Sequence, residues 1–166
     1  MTESMKTDFE MGVTARVEAV LELRKDLTIP APGDGPVAVL EALMEVRGRL
    51  DRVEENLTQL FRLRGAVRRA ARRAKDDADD QWNQTVTGTH RPRRGDFGEA
   101  APRERYAQAD VAVLTQRRTE RALVDQVAVA EEAVEVSQLV HRGLSDIRRD
   151  LHVMLRGIEL ESALER

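Results

Sequence analysis

Apolar residues recur at alternating spacings of four and three along a stretch that begins near Val37. This heptad pattern is typical of helices that pack against other helices. It predicts a long helix over residues 36–82, in which the packing residues shrink from leucine and valine to alanine. The repeated positions are Val39, Leu43, Val46, Leu50, Val53, Leu57 and Leu60, followed in the same register by Arg64, Val67, Ala71, Ala74 and Ala78.

A second long helix is predicted over residues 103–164, after a segment rich in proline, glycine and charge. That segment, residues 85–102, predicts a mobile connection. Thr115 and Thr119 are candidate caps for a fresh helix start. Between its two runs of apolar positions the pattern shifts in phase, which resembles a stutter and would change the local supercoiling. The runs are Leu123, Val127, Ala130 and Val134, and then Val140, Leu144, Ile147, Leu151, Met154 and Ile158.

The N-terminal part is less regular. Residues 1–12 are polar and uneven, and we expect a flexible leader there. One apolar side predicts a short helix over residues 14–27. Prolines and glycines in residues 29–36 then break the helix, with Asp34 as a candidate N-cap for the next one.

These elements predict an all-α fold, in which a long antiparallel helical hairpin follows a short helix within one domain, residues 13–166. Aromatic residues make up only 3% of the chain. A lone hairpin of this composition would leave apolar surface in water, and self-association would cover it. We therefore expect a homo-oligomer.

Charge is strongly segregated, although the net charge of the whole chain is only -3. Seven basic residues and no acidic residue lie between Arg62 and Lys75, on the predicted first long helix. Guanidinium groups at helical spacing could contact successive phosphates of a nucleic acid. Alternatively, they could form a solvated face that pairs with acids on other helices. The sequence alone favours neither interpretation. The stripe consists of Arg62, Arg64, Arg68, Arg69, Arg72, Arg73 and Lys75.

Three further groups of residues are weaker candidates. Arg91, Arg93 and Arg94 could be a second phosphate contact, but an ordinary solubilising loop is slightly favoured. The acids from Asp76 to Asp80 more often end a basic zone and pair with arginines than hold a cation, because their carboxylates splay around the helix. His90, His141 and His152 share no ligand spacing.

Several classes of protein are disfavoured by what the sequence contains. It has no cysteine, which excludes disulfides and thiolate metal sites. Motifs of phosphate-binding loops, zinc proteases and nucleophile elbows do not occur, so we expect neither an enzyme nor a cofactor. No apolar run is long enough for a membrane span, and no secretion signal is recognisable, which predicts a cytoplasmic protein.

The chain resembles the UvsY-like phage recombination mediators in three places that occur in the same order and spacing. The first is LRKDLTI, from Leu23 to Ile29, ahead of the first long helix. The second is the basic stretch from Ala66 to Arg73. The third is the segment from Glu104 to Thr115, with its ERY and VLT triplets, followed by a helix that ends near Glu161.

The resemblance implies a small helical protein that assembles as a ring and binds single-stranded DNA. Such a protein displaces single-strand-binding protein and loads a RecA-like recombinase, in the host cytoplasm if the chain is phage-encoded. Two alternatives remain open: a structural coiled-coil scaffold or assembly adaptor with no nucleic-acid role, and a double-stranded DNA-binding architectural protein. The resemblance assigns the DNA contact to Arg64, Arg68, Arg69, Arg72, Arg73 and Lys75.

Overall fold

The computed structural model describes residues 3–31, 33–88 and 110–164, and every regular element in those ranges is an α-helix. Helix α1 spans Glu3–Glu22, α2 spans Gly35–Gly88 and α3 spans Val111–Leu164. The all-α prediction is therefore confirmed for this part of the chain. Among the same residues, no helix has both the length and the apolar content that crossing a membrane requires.

The helix ends differ from the predicted ones. Helix α1 begins at Glu3, where a flexible leader over residues 1–12 was expected, and it ends at Glu22 instead of residue 27. Helix α2 continues to Gly88, past the predicted start of the connection at residue 85. Helix α3 begins at Val111 in the described residues, and the predicted start at residue 103 lies outside them. The rest of the predicted connection lies outside the described residues.

Helix α1 ends early because its backbone tightens after Glu22. Three successive amides donate to the carbonyl three residues earlier, starting with Leu23 to Val20 at 3.2 Å, and Asp26 then adopts a φ of 54°. This left-handed conformation stops a helix, and aspartate tolerates it better than most residues. The Lys25 ammonium donates to the Glu22 carboxylate at 2.5 Å, and this hydrogen bond raises the pKa of Lys25.

Asp34 does not cap α2 in the way that the sequence suggested. Its carboxylate accepts a hydrogen bond from the Ala31 amide at 2.7 Å, and its own amide donates back to the Ala31 carbonyl at 3.0 Å. The side chain therefore closes the turn before the helix. Gly35 follows with a φ of 82°, which a residue with a Cβ rarely adopts, and Pro36 occupies the first helical turn.

Asp110, and neither threonine, caps α3. Its carboxylate accepts from the amides of Ala112 at 2.8 Å and Val113 at 3.3 Å, which is the usual N-cap geometry. Thr115 and Thr119 lie inside the helix, where their hydroxyls donate to the carbonyls of Val111 and Thr115. The prediction of a threonine cap was wrong, because a threonine in a helix interior can satisfy its hydroxyl on the preceding turn.

The predicted domain, residues 13–166, includes residues of two compact units. The first unit contains Met1–Glu10 and Leu63–Ala130, and the second contains Met11–Arg62 and Glu131–Arg166. Each unit thus includes a part of all three helices.

The second unit has a core of large apolar side chains. Helix α1 contributes Val20, and segments of α2 and α3 contribute the rest. The two segments run antiparallel within this unit, because Glu54 lies 3.1 Å from His141 while Leu40 shares a groove with Arg156. The core residues are Val20, Val39, Ala42, Val46, Leu50, Val53, Leu57, Val140, Leu144 and Leu151.

The buried face of α3 continues without the predicted phase shift. Gln126, Ala133 and Ser137 are 4%, 3% and 0% exposed. They complete a regular spacing of three and four from Gln126 to Leu151. The Ser137 hydroxyl donates to the Ala133 carbonyl at 2.8 Å, which allows a polar residue to be fully buried. The stutter prediction was wrong because small and polar residues occupy positions that an apolar pattern does not reveal.

The first unit has a thinner core. Its buried apolar residues on α2 are Val67, Ala74 and Ala78, and those on α3 are Val113 and Ala130. All five are alanine or valine, whereas the core of the second unit also contains leucines. The arginine stripe lies on this part of α2.

Candidate nucleic-acid interface

The arginine stripe surrounds the buried residues of α2 in the first unit. Val67, Ala74 and Ala78 are 9%, 7% and 0% exposed, and they form one narrow face of the helix. Since that face is occupied by packing, the basic side chains between these positions emerge elsewhere around the helix. Arg64 is half-buried, and the exposed candidates are Arg68, Arg69, Arg72, Arg73 and Lys75. Arg62, at the start of the stripe, is exposed and belongs to the second unit.

The exposed arginines form two rows along the helix. Arg68 and Arg72 make one row, and Arg69 and Arg73 make the adjacent row. Members of a row are four residues apart, which corresponds to about 6 Å along the helix axis. Two parallel rows of guanidinium groups present many hydrogen-bond donors in fixed forks, which suit phosphate oxygens.

The contacts inside the chain bear on the alternative interpretation, in which acids of the same protein neutralise the stripe. Arg64 and Arg68 each interact with another group of the chain. Among the described residues, Arg69, Arg72, Arg73 and Lys75 have no ion-pair partner. Four adjacent positive charges therefore remain for a partner outside this part of the chain.

The guanidinium group of one of these arginines lies close to Gly65. A methyl group placed on Gly65 would lie 3.4 Å from Nη1 of Arg69. The Arg69 side chain thus folds back along α2 over the glycine, one turn toward the N-terminus. A side chain at position 65 would compete with it for this space.

The acidic run after the stripe pairs with α3. Asp79 lies 3.6 Å from Arg117, whose guanidinium also lies 3.6 Å from Glu120. Asp76, Asp77 and Asp80 are exposed. In the described ranges, no group of three or more histidine, cysteine or acidic side chains is arranged to hold a metal ion. Asp79 therefore joins α2 to α3 through Arg117, and the other three carboxylates are exposed where the basic stripe ends.

Sequence reasoning missed two basic residues of the same unit. Arg118 and Arg121 of α3 are exposed, one turn apart on their helix. The only signal for them was the local density of arginine after Gln116, and the neighbouring Glu120 and Asp125 obscure it. Arg91, Arg93 and Arg94, the predicted secondary contacts, lie outside the described residues.

Comparison with known proteins adds no family to this description. No protein-family model matches the chain, and no curated protein or solved structure is significantly similar to it. The function proposed below therefore depends on the residues themselves.

Proposed function

We propose that the protein binds single-stranded DNA through the arginine stripe and acts as a non-enzymatic recombination mediator. The observation that carries the proposal is the group of exposed basic residues Arg69, Arg72, Arg73 and Lys75, which have no acidic partner among the described residues. A run of basic residues is usually neutralised by acids of the same chain. These four residues have no such acids among the described residues.

In this proposal the helices form a long antiparallel hairpin, and copies of it assemble into a ring-like homo-oligomer. Several stripes in one particle would hold one strand of DNA with far higher affinity than a single stripe, through avidity. The particle would organise the strand for a RecA-like recombinase and take the place of single-strand-binding protein. The resemblance to UvsY-like mediators supports these steps, and the contacts of the stripe support the DNA contact.

The DNA contact is tested by replacing Arg69, Arg72 and Arg73 together with glutamine. Glutamine keeps the helix propensity and removes the charge. Fluorescence anisotropy with a labelled single-stranded oligonucleotide, at several salt concentrations and beside a duplex control, gives the affinity and its salt dependence. Loss of three phosphate contacts should weaken binding and should lower the magnitude of the slope of log K against log salt by about 2.

The matched control replaces Arg24, Arg52 and Arg142, which are exposed arginines of the second unit, with glutamine. It makes the same change in net charge and should leave both affinity and slope near the wild-type values. If the two triple variants change affinity and slope equally, the stripe acts only through the net charge of the protein. Wild-type affinity in the stripe variant, with altered sedimentation, would instead favour the coiled-coil scaffold, in which the arginines meet acids of neighbouring subunits.

A further inference from the structure

A groove in the second unit has no role in the proposed DNA contact. It lies between the start of α2 and the last third of α3, with a volume of about 1080 Å³. Leu40, Leu43, Met44 and Val153 supply its apolar surface. Leu40, Met44 and Val153 are 48%, 76% and 65% exposed, so this surface is uncovered in the single chain.

Arginines surround the apolar surface of this groove. Arg47 on α2 and Arg148, Arg149 and Arg156 on α3 all line it. Asp146 is the acidic residue among the lining residues, and it lies 3.2 Å from Arg149. Arg47, Arg148 and Arg156 have no ion-pair partner among the described residues. The rim therefore carries an excess of positive charge.

The length of the groove suits a helical segment. The α3 side of the groove, from Ser145 to Arg156, is about 17 Å long at 1.5 Å per residue. This length corresponds to roughly three helical turns.

Helix α1 does not cover this part of the unit. The lining residues of the groove all belong to α2 and α3. Leu40, Met44 and Val153 keep much of their surface exposed, so the groove is open to another helix. A second copy placed groove against groove would oppose arginine to arginine, and such like-charge contacts are unfavourable.

We propose that the groove binds an acidic amphipathic helix of a partner protein. Apolar side chains at spacings of three and four would contact Leu40, Met44 and Val153, and flanking carboxylates would pair with Arg47, Arg148 and Arg156. The proposal is independent of the DNA contact, because the groove and the stripe candidates belong to different units.

The test uses a labelled synthetic helix of about three turns, with leucines on one face and glutamates on the other. Two matched peptides change one property each: lysines replace the glutamates in the first, and glutamines replace the leucines in the second. Anisotropy with the full-length protein should show binding of the acidic amphipathic peptide and at least about tenfold weaker binding of both others. Failure of the acidic amphipathic peptide to bind, or equal binding of all three, would overturn the proposal.

Protein variants locate the binding. The double variant Arg148→Glu and Arg156→Glu should lose at least about tenfold in affinity for the acidic peptide. Arg118→Glu with Arg121→Glu makes the same charge change on the same helix, in the other unit, and should stay within about twofold. Met44→Gln should also weaken binding, without any change of charge. Similar losses in both double variants would show general charge attraction instead of a site.

Two rival occupants have their own signatures in the same variants. If the groove binds a second copy, Arg148→Glu with Arg156→Glu will change the sedimentation of the protein alone, and the peptide will not bind the wild type. If it binds nucleic acid, this double variant will lose oligonucleotide affinity as the stripe variant does. Either result would overturn the proposal, whereas unchanged sedimentation and DNA affinity beside lost peptide binding would support it.

Discussion

In the second unit, the Arg49 side chain on α2 forms hydrogen bonds with the turn that follows α1. Nη1 of Arg49 donates to the carbonyls of Leu23 at 2.9 Å and Lys25 at 2.6 Å, just beyond the end of α1. Its other nitrogens donate to the Glu45 carboxylate. These carbonyls belong to the turn that follows α1, so Arg49 ties that turn to α2.

We predict that Arg49→Met destabilises the protein by about 1–3 kcal/mol, because two hydrogen bonds from a charged group to backbone carbonyls are lost, one of them part-buried. The Arg49 side chain is only 16% exposed, whereas Glu45 is 45% exposed. Glu45→Gln should therefore cost less than about 1 kcal/mol, as exposed ion pairs usually do. Urea unfolding followed by circular dichroism measures both. If both variants lose the same free energy of unfolding, the ion pair with Glu45 and not the hydrogen bonds to the carbonyls accounts for the stabilisation.

At the scale of a helix, the buried face of α3 contains a polar residue at its centre. Ser137 is fully buried, and it lies within the regular spacing that links Gln126 to Leu144. A small residue at such a position lets neighbouring helices approach closely, and a larger side chain has no space there.

We predict that Ser137→Leu, which restores an apolar heptad position, destabilises the protein by about 1–3 kcal/mol through overpacking. Ser137→Ala should change stability by less than about 1 kcal/mol, because the Ala133 carbonyl keeps its helical hydrogen bond. Thermal and urea unfolding of the two variants measure these changes in stability. A stabilised leucine variant would show that the position has unused space.

The same residue illustrates how far the sequence could predict the helices. In the first half of α2 the heptad residues are large and apolar, and Val39, Val46, Leu50, Val53 and Leu60 are all buried as expected. In α3 the buried Ser137 lies between the two apolar runs, and the apolar positions alone therefore predict a phase shift there. Apolar periodicity cannot identify a buried polar residue that bonds to its own helix.

The candidate site was predictable only in part for a similar reason. The alanines of the heptad pattern indicated which face of α2 is buried. The arginines that lie off this face are exposed as a result, namely Arg68, Arg69, Arg72 and Arg73. The pairing of Asp79 with Arg117, and the groove beside Arg148, depend on which segments of α2 and α3 lie together. Pairing of this kind is set by long-range packing, about which one sequence contains little information.

At the scale of the whole molecule, the two units differ in how much apolar surface their cores bury. The second unit uses Leu50, Leu144 and Leu151, whereas the first uses Ala74, Ala78 and Ala130 at comparable positions. Each buried methylene contributes roughly 0.8 kcal/mol, so the first unit has the weaker core. The part of α2 that carries the stripe residues from Arg64 to Lys75 is therefore held by smaller buried side chains than the part in the second unit.

We predict that backbone amides of residues 67–78 and 113–126 exchange with deuterium faster than those of residues 46–57 and 140–151. Local opening follows the local density of apolar contacts. Hydrogen exchange measured by mass spectrometry resolves these segments as separate peptides. Bound oligonucleotide should slow exchange in the first group if the stripe is the DNA contact. Uniform exchange along α2 would show that core composition does not control local stability here.

The length of DNA that the protein binds tests the proposed assembly. The DNA-contact candidates of the stripe, from Arg64 to Lys75, cover about 17 Å of helix, which limits the number of nucleotides that one copy can contact. If stripes from several copies share one particle, affinity for deoxythymidine oligomers will keep rising from about 5 to about 40 nucleotides, because each added stripe binds at high effective concentration. If each stripe acts alone, the affinity will stop rising after a few nucleotides. This affinity is corrected for the number of overlapping binding positions that a longer oligomer offers. Sedimentation of the protein with and without the longest oligomer is the control for DNA-induced association. A particle larger than one chain, together with a plateau at short lengths, would contradict the shared DNA surface while leaving the stripe as a local contact.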